Sequence, residues 1–340
     1  MKKKIFFIYI FLKTVIYKLL HKNKLLFILG TPMHGNLGDS AIALAEDIII
    51  KENLKKVYVE IPSNYVVEYL TVWKKLIGRN DIFIHGGGFT GTIWPEEMEM
   101  LLNVLTTFNR NKIIILPQTI FFENSNSIQQ EQLKVAIEQC NNLTILVREK
   151  FSKLFIENNF KDAHSILVPD VVTYLNKSYF NFNDCDTSNS VLFVMRRDKE
   201  GLDHQVAIEK IKDSINDFSI QTTDTVVQYA VRPWNRLKEV EKKLRQFRSS
   251  RLVITDRLHG MVFSAIAEVP CIVLNNNNYK IKGVYDWLKD QSNIQFVEDL
   301  DFLQDIIQKL LEISNEEFKN QDLRNELSTV IQKLDNNRKN

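Results

Sequence analysis

Cysteine is scarce in this sequence, and its spacing argues against two classes of protein. The three thiols, Cys140, Cys185 and Cys271, share no metal-binding or redox spacing. An odd number leaves one thiol over in any disulfide scheme, so the pattern is not that of a secreted disulfide scaffold. We therefore predict reduced structural thiols in a cytoplasmic protein, with no bound metal.

Long apolar runs are also absent. The longest, Ile5–Leu12, has eight residues, whereas a helix needs about 20 to span a bilayer. A basic start before an apolar run resembles a signal peptide, but no small-residue cleavage site follows, and LLFILG leads directly into the first predicted strand. Two interpretations of residues 1–23 stay open: an interfacial helix on a membrane surface, or a first helix packed on the protein itself.

Acidic residues are missing from the start of the chain. Residues 1–24 contain seven lysines, and Asp39 is the first carboxylate. The whole chain has 44 basic and 42 acidic residues, so the remainder carries 37 against 42, a net charge of −5. That balance argues against a nucleic-acid partner.

The chain is long and apolar enough for two domains, with 340 residues of which 44% are hydrophobic. Apolar, β-rich runs alternate with helical patterns in both halves, which predicts mainly parallel sheets covered on both faces. The predicted strands are residues 24–30, 56–61, 81–88, 112–119, 143–149, 164–170, 191–197, 225–231, 251–255 and 271–276.

Polar, turn-prone residues at 176–190 divide the two halves. We predict an α/β fold with two Rossmann-like domains facing a central cleft, of the glycosyltransferase-B-like class. The predicted divisions are the basic segment 1–23, an N-terminal domain 24–175, the linker 176–190, a C-terminal domain 191–300 with the donor site, and helices with a tail at 301–340.

The loop TPMHGNLGDSAIA (31–43) follows the first strand and is neither G-x-G-x-x-G nor a Walker loop. Gly35 and Gly38 allow close backbone approach, and Asn36 and Asp39 offer polar side chains before a helix amino terminus. The alternative is that Asp39 or Ser40 simply caps the helix.

Other strand ends carry further candidates. IHGGGFTG (84–91) has three consecutive glycines, including Gly87 and Gly88, which suggests that something passes close to the backbone. His85 there is predicted to be a hydrogen-bonded core histidine. Gln118, Arg148 and Glu149 also follow strands; a salt bridge between domains is the alternative for Arg148.

TDRLHG (255–260) places an Asp, an Arg and a His where a strand ends and a helix begins. The arginine fork grips carboxylate or phosphate, and the helix starting at Gly260 adds a partial positive charge. Arg257 and His259 are expected to point the same way, with Leu258 packed inward. The alternative pairs Arg257 with Asp256 and buries His259.

Taken in order, these segments resemble the polysaccharide pyruvyl transferase family. The resemblance rests on GNLGDSAIA, IHGGG, LPQTI, VREKFS, VPDVV, MRRD, TDRLHG and VPCIVLNNNNYKIKGVYDWL, between about residues 25 and 290. It implies transfer of a pyruvyl group from phosphoenolpyruvate to two hydroxyls of one sugar in a cell-surface or exopolysaccharide precursor, forming a cyclic ketal. Phosphoenolpyruvate is then a co-substrate, and no cofactor is expected.

The resemblance also implies roles for single residues. Arg257, His259 and Lys280 would contact the donor, with Leu258 and Gly260 beside them; Lys282 stays open as an alternative to Lys280. Arg148 and Arg197, or Arg196 in place of Arg197, are less distinctive donor candidates.

In the implied chemistry His259 protonates carbon 3 of the enol, because the unperturbed pKa of histidine is about 6.5. Arg257 stabilises the departing phosphate. Asp39 is the expected base, with Glu149 behind it, and Asn36, Gly87, Gly88 and Gln118 complete the expected acceptor contacts. A lipid-linked acceptor would place the enzyme at the inner face of the cell membrane.

Two other functions fit the same cleft. A glycosyltransferase would hold a nucleotide diphosphate at TDRLHG and use Asp39 as its base. A non-catalytic relative would only bind a glycan.

Overall fold

The structure is a computed structural model that describes residues 2–21, 24–124, 127–183, 185–196, 201–276, 278–313 and 316–336. The helices are α1 (Lys2–Leu20), α2 (Leu37–Asn53), α3 (Ser63–Glu68), α4 (Leu70–Ile77), α5 (Pro95–Thr107), α6 (Ile128–Glu138), α7 (Lys150–Asn159), α8 (Gln205–Ser214), α9 (Arg236–Arg248), α10 (Leu258–Ala267), α11 (Lys280–Tyr285), α12 (Leu303–Glu312) and α13 (Gln321–Asn336). The strands are β1 (Leu25–Thr31), β2 (Val57–Pro62), β3 (Asp81–Ile84), β4 (Gly87–Gly91), β5 (Lys112–Phe121), β6 (Asn142–Val147), β7 (His164–Leu167), β8 (Ser190–Val194), β9 (Ser219–Thr223), β10 (Leu252–Thr255), β11 (Cys271–Val273) and β12 (Ile294–Phe296).

The chain forms two compact units. Unit 1 comprises Met1–Met33, Ile42–Val171 and Glu326–Asn340, and unit 2 comprises His34–Ala41 and Val172–Asn325. Each unit has one sheet whose neighbouring strands pair in parallel, with helices in the crossovers. The predicted class, α/β with two mostly parallel sheets, is confirmed.

Unit 1 is built on a sheet with the order β2-β1-β3-β5-β6-β7, and β4 pairs with β5. Every residue of β1 is buried, as expected for a central parallel strand covered on both faces. Trp73 of α4 is fully buried in the same core, and its indole nitrogen donates to the Tyr65 carbonyl at 2.8 Å. Burying that polar atom is therefore offset by a hydrogen bond.

Unit 2 is built on a sheet with the order β12-β11-β10-β8-β9. Helix α10 is buried at nine of its ten residues, and Phe263 on α10 meets Phe247 of α9 edge to face at 5.8 Å between ring centroids. The helix ends where Glu268 adopts a left-handed conformation with φ 56°. Lys177 pairs with that carboxylate at 2.9 Å, which helps to hold the turn.

One predicted strand is wrong. Residues 225–231 form no strand, and the edge strand β9 lies just before them at Ser219–Thr223. The sequence SIQTT of β9 is polar because four of its five residues are exposed. The apolar segment after it lies against residues 34–38 instead: the Leu37 amide donates to the Thr225 carbonyl, and the Val227 amide to the Gly35 carbonyl.

The boundaries of the units differ from the predicted domains in three places. The division falls after Val171, residues 34–41 belong to unit 2, and the chain returns to unit 1 at Glu326, within the last helix. Side-chain bonds hold two of these segments in their units. Asn320 donates to the carbonyls of Thr173 and Leu175 in unit 2, while Lys56 pairs with Asp335 in unit 1. Such long-range pairings leave no local signal in the sequence.

Helix α1 packs on unit 1 through one face. Ile10 and Thr14 are buried, and the Phe7 ring stacks on Tyr69 with centroids 3.8 Å apart. The second interpretation of residues 1–23 therefore describes the inner face of α1 correctly. Among the described residues, no helix has the length and apolar character needed to cross a bilayer.

Gly91→Ala and Gly87→Ala form a matched test of packing in unit 1. Both residues have positive φ, 143° and 140°, so each alanine introduces similar backbone strain. A Cβ at Gly91 would also overlap the Phe121 carbonyl oxygen, whereas at Gly87 the nearest atom is 3.6 Å away. We expect Gly91→Ala to be less stable than Gly87→Ala by about 1–3 kcal/mol, the usual range for overpacking. Urea unfolding measures the difference, and equal midpoints would show that the close approach is absent.

Candidate functional site

Charged and amide side chains cluster at the carboxyl end of the sheet in unit 2. Arg196 follows β8, Asp224 follows β9, Asp256 and Arg257 follow β10, and Asn276 follows β11. These four strands are neighbours in the sheet, in the order β11-β10-β8-β9. In parallel α/β sheets, ligands bind outside this edge, so the strand order assembles a candidate site from four loops.

Arg257 is held at the start of α10. Its amide donates to Thr255 Oγ1 at 3.0 Å, and a Cβ at Gly260 would overlap that same hydroxyl oxygen. The tight turn buries the arginine, which is 6% exposed. Its guanidinium Nη2 donates to Asp224 Oδ2 at 2.7 Å. Arg257 is thus a buried cation that pairs with Asp224, a carboxylate from a different strand end.

Asp256 has a supporting role. Its Oδ1 accepts from the Arg196 amide at 2.7 Å, and its Oδ2 lies 3.8 Å from His204 Nε2. Burial raises the pKa of this carboxyl, and the hydrogen bond from Arg196 opposes that rise. The bond at Arg257 Nη2 is to Asp224, and the nearby charge of Arg257 also opposes the rise in the pKa of Asp256. Asp256 ties the end of β10 to the end of β8.

His259 lies in the first turn of α10 against the loop that follows β1. A Cβ at Gly38 would overlap His259 Nδ1, and one at Gly35 would overlap the Val227 carbonyl oxygen. Both glycines are therefore required by close approach of unit 2 atoms. His259, the predicted acid, therefore lies in the same unit as residues 34–41 and in close contact with them.

Asn36 and Asp39 take different places in that loop. Asn36 Oδ1 accepts from the Gly38 amide at 2.9 Å, so Asn36, rather than Asp39 or Ser40, caps α2. Asp39 is half-buried and its Oδ2 lies 3.6 Å from His34 Nε2. Its carboxylate remains partly open to solvent, as a base that meets a sugar hydroxyl requires.

The structure separates the two lysine candidates after β11. Lys280 is 6% exposed and begins α11, where its amide donates to Asn278 Oδ1 at 3.2 Å. Lys282 is exposed and pairs with Glu298, which raises the pKa of its ammonium group. Lys280 is therefore the better placed of the two for a ligand at the carboxyl end of the sheet.

Ser40 Oγ, in the first turn of α2, and Asn276 Oδ1, after β11, are buried in unit 2 and have no hydrogen-bond partner within the described part of the chain. An unsatisfied buried polar atom costs free energy, and such atoms are frequent where a ligand completes the bonding. Both lie in segments that the strand-end loops bring to the candidate site.

Unit 1 contains a buried acid–histidine pair that the sequence did not reveal. Glu46 Oε2 lies 2.7 Å from His85 Nδ1, and Glu46 Oε1 accepts from the Gly86 amide at 2.7 Å. His85 is 4% exposed, as predicted for a core histidine, and its bond to a carboxylate fixes the orientation of its ring. Glu46 lies within helix α2, and the sequence pattern of that helix does not indicate that this residue pairs with His85.

The other candidates in unit 1 have structural partners. Gln118 Nε2 donates to the His85 carbonyl at 2.8 Å, and Arg148 Nη1 donates to Asp170 Oδ2 at 2.7 Å. Glu149 is fully buried, caps α7 by accepting from the Ser152 amide at 2.7 Å, and has a pKa raised by burial. Arg148 thus makes an ion pair within unit 1, and Glu149 serves as a helix cap.

The glycine run has a local explanation at two positions. A Cβ at Gly86 would approach the Pro117 carbonyl oxygen at 2.8 Å, and one at Gly91 would overlap that of Phe121. What passes close to the backbone there is β5 of the protein itself. Gly87 and Gly88 lie between them in β4.

The structure therefore sorts the predicted residues into two groups. Those in unit 2 are Asn36, Asp39, Arg257, Leu258, His259, Gly260 and Lys280. Those in unit 1 are Gly87, Gly88, Gln118, Arg148 and Glu149. Arg197 lies outside the described residues, and no group of three or more metal-ligating side chains occurs in the ranges that the structure describes.

The fold resembles that of nucleotide-sugar enzymes. The chain superposes on the UDP-GlcNAc 2-epimerase of Methanocaldococcus jannaschii with a TM-score of 0.53 and 13% sequence identity, covering 92% of this chain and 99% of that chain. At this identity the likeness shows the fold alone, and it agrees with the glycosyltransferase-B-like class.

Sequence relatives cover most of the chain. It is 33% identical over 309 residues to general stress protein 30 of Bacillus subtilis, covering 86% of this chain and 87% of the relative. It is 26% identical over 285 residues to pyruvyl transferase 1 of Schizosaccharomyces pombe, covering 77% and 69%. The model of the family described as polysaccharide pyruvyl transferase matches residues 36–278, a range that contains every unit 2 candidate except Lys280. The chain belongs to the polysaccharide pyruvyl transferase family.

Proposed function

We propose that this protein transfers a pyruvyl group from phosphoenolpyruvate to two hydroxyls of one sugar in a cell-surface polysaccharide precursor, forming a cyclic ketal. Membership of the family supports pyruvyl transfer to a polysaccharide. The donor is supported by one observation above all: Arg257 is a buried cation at the carboxyl end of a parallel sheet, and the anion that it binds is a side chain, Asp224.

Phosphoenolpyruvate fits this site by charge. Its carboxylate and its phosphate are both attached to carbon 2, so they need several positive groups close together. Arg257 offers a planar fork for one anionic group, the amino terminus of α10 adds its partial charge, and Lys280 supplies an ammonium group from the next strand end. Asp224 holds the place at Arg257 that an anionic group of the donor takes on binding.

The reaction needs one acid at carbon 3 of the donor. His259 donates this proton, which leaves positive charge on carbon 2. An acceptor hydroxyl oxygen then forms a bond to carbon 2, and the bond from carbon 2 to the phosphate oxygen breaks. The second hydroxyl closes the ketal, so the products are the ketal and inorganic phosphate. Arg257 stabilises the phosphate as its charge grows.

The two hydroxyls lose one proton each. Asp39 is half-buried and accessible, so it is the proposed acceptor of a proton from the sugar. One hydroxyl proton replaces the one that His259 gives to carbon 3, and the other leaves with phosphate or solvent.

The direct test is calorimetry with phosphoenolpyruvate on the intact protein and on Arg257→Ala, with UDP-glucose as a comparison ligand. We expect the intact protein to bind phosphoenolpyruvate and Arg257→Ala to lose at least about tenfold in affinity, since a charged hydrogen bond is worth about 1.5–3 kcal/mol. Arg257→Lys keeps the charge but not the fork, and should bind with intermediate affinity. Binding of UDP-glucose in place of phosphoenolpyruvate would contradict the proposal and favour a glycosyltransferase.

Asp224→Asn tests whether the internal carboxylate competes with the donor. Its removal leaves Arg257 without that competing charge, so we expect phosphoenolpyruvate and inorganic phosphate to bind roughly tenfold more tightly, a change of about 1.4 kcal/mol. Asp213→Asn is the matched control, because it removes the same charge from an exposed position of unit 2. Equal affinities in the two variants would show that Asp224 does not occupy the donor position.

A double-mutant cycle tests the support that Gly38 gives to His259. The new Cβ of Gly38→Ala would displace the imidazole, so we expect kcat to fall at least about tenfold, since complete loss of a positioned acid costs roughly 100- to 10,000-fold. In a His259→Ala background the same change has no ring to displace and should cost little more. Equal losses in both backgrounds would mean that Gly38 acts through something other than His259.

A further inference from the structure

We propose that the outward face of helix α1 is a docking surface for an anionic lipid membrane. This surface is made of seven large apolar residues, each at least 50% exposed: Ile5, Ile8, Tyr9, Leu12, Ile16, Leu19 and Leu20. The inference does not depend on the reaction proposed above. It concerns a segment outside residues 36–278, the part of the chain that the family shares.

The outward face is one continuous stripe. Its members follow Ile5 at steps of three, four, seven, eleven, fourteen and fifteen residues, the spacing of neighbours on one side of an α-helix. Single exposed apolar residues are ordinary, but a contiguous apolar patch marks an interaction surface. A helix that packed only on its own protein would have polar residues along this side.

The opposite face fixes how the helix lies. Ile10 and Thr14 are buried against unit 1. Near the start of the helix the Tyr65 hydroxyl donates to the Lys3 carbonyl at 3.3 Å, and near its end Lys18 Nζ donates to the Leu76 carbonyl at 2.5 Å. The helix is therefore attached along its whole length and lies flat on unit 1. Its outward face can meet a membrane surface without detachment of the inner face.

The charges favour anionic lipid as the occupant. Residues 1–24 carry seven lysines and no acid. Lys18 is bound on the inner face and Lys3 pairs with Glu68, while Lys4 is exposed at the start of the helix. Lys74 and Lys75 are exposed on α4, against which α1 packs through the Phe7–Trp73 ring contact. Lysines near a membrane surface are attracted by anionic headgroups while the apolar side chains enter the boundary of the acyl region.

The same charges argue against a second copy of the chain. Two outward faces in contact would bring two lysine-rich segments together, and like charges at an interface oppose association. An anionic lipid surface supplies both the negative charge and the apolar layer that this face lacks. If the proposed function is also right, docking brings the enzyme to acceptors carried on lipid.

The test is flotation of the full chain with vesicles of phosphatidylcholine alone, and of phosphatidylcholine with phosphatidylglycerol in a two-to-one ratio. We expect binding to the anionic vesicles only, weakened by salt because charge contributes. The variant Ile8→Ser/Leu12→Ser/Ile16→Ser should lose at least about tenfold in partitioning, as expected when buried apolar groups are removed. The control Ile128→Ser/Leu154→Ser/Val206→Ser removes exposed apolar residues elsewhere and should bind like the unchanged protein.

Three results would overturn the proposal. The unchanged protein could fail to float with anionic vesicles, or the helix variant could float as well as the control. Light scattering could also show a dimer that the helix variant abolishes, which would make the stripe an interface between two copies. Thermal unfolding of both variants shows whether each remains folded, since all the replaced side chains are exposed in the structure.

Discussion

The ion pair between Arg257 and Asp224 holds a buried positive charge at the carboxyl end of the sheet in unit 2. A buried guanidinium requires a negative partner, because an unpaired buried charge is costly. A ligand that took the place of Asp224 at Arg257 would need an anionic group of its own to keep this charge paired. Asp224 also begins the segment whose backbone holds residues 34–38. That segment therefore links the loop that carries Asn36 and Asp39 to the strand end where Asp224 binds Arg257.

Much of the fold could be predicted because the central strands are recognisable in the sequence. Buried parallel strands such as β1 and β10 are continuous apolar runs, and helices with a clear period lie between them. The edge strand β9 could not be predicted in this way, because its exposed residues are polar and the apolar run after it serves as a loop. The return of α13 to unit 1 depends on pairs such as Lys56 with Asp335, which are distant in sequence.

The site was predictable where chemistry and chain position coincide. Arg257 and His259 follow a clear strand and begin a helix, so their place at the sheet edge follows from the sequence. Asp224, the partner of Arg257, was not predictable because it lies after the missed strand. Glu46 was not predictable either, because it lies within a helix and meets His85 only through tertiary packing. Arg148 and Glu149 show the opposite case, since residues at a strand end can serve an ion pair or a helix cap. Residues 1–23 satisfied one interpretation on their inner face and suggest the other on the outer face.

The most direct measurement is a crystal structure of the protein with phosphoenolpyruvate bound. We expect an anionic group of the donor to bind the Arg257 guanidinium in place of Asp224, with Lys280 near the second anionic group and the His259 ring facing carbon 3. Donor bound elsewhere, with the pair of Arg257 and Asp224 intact, would contradict the claim that this pair marks the donor site.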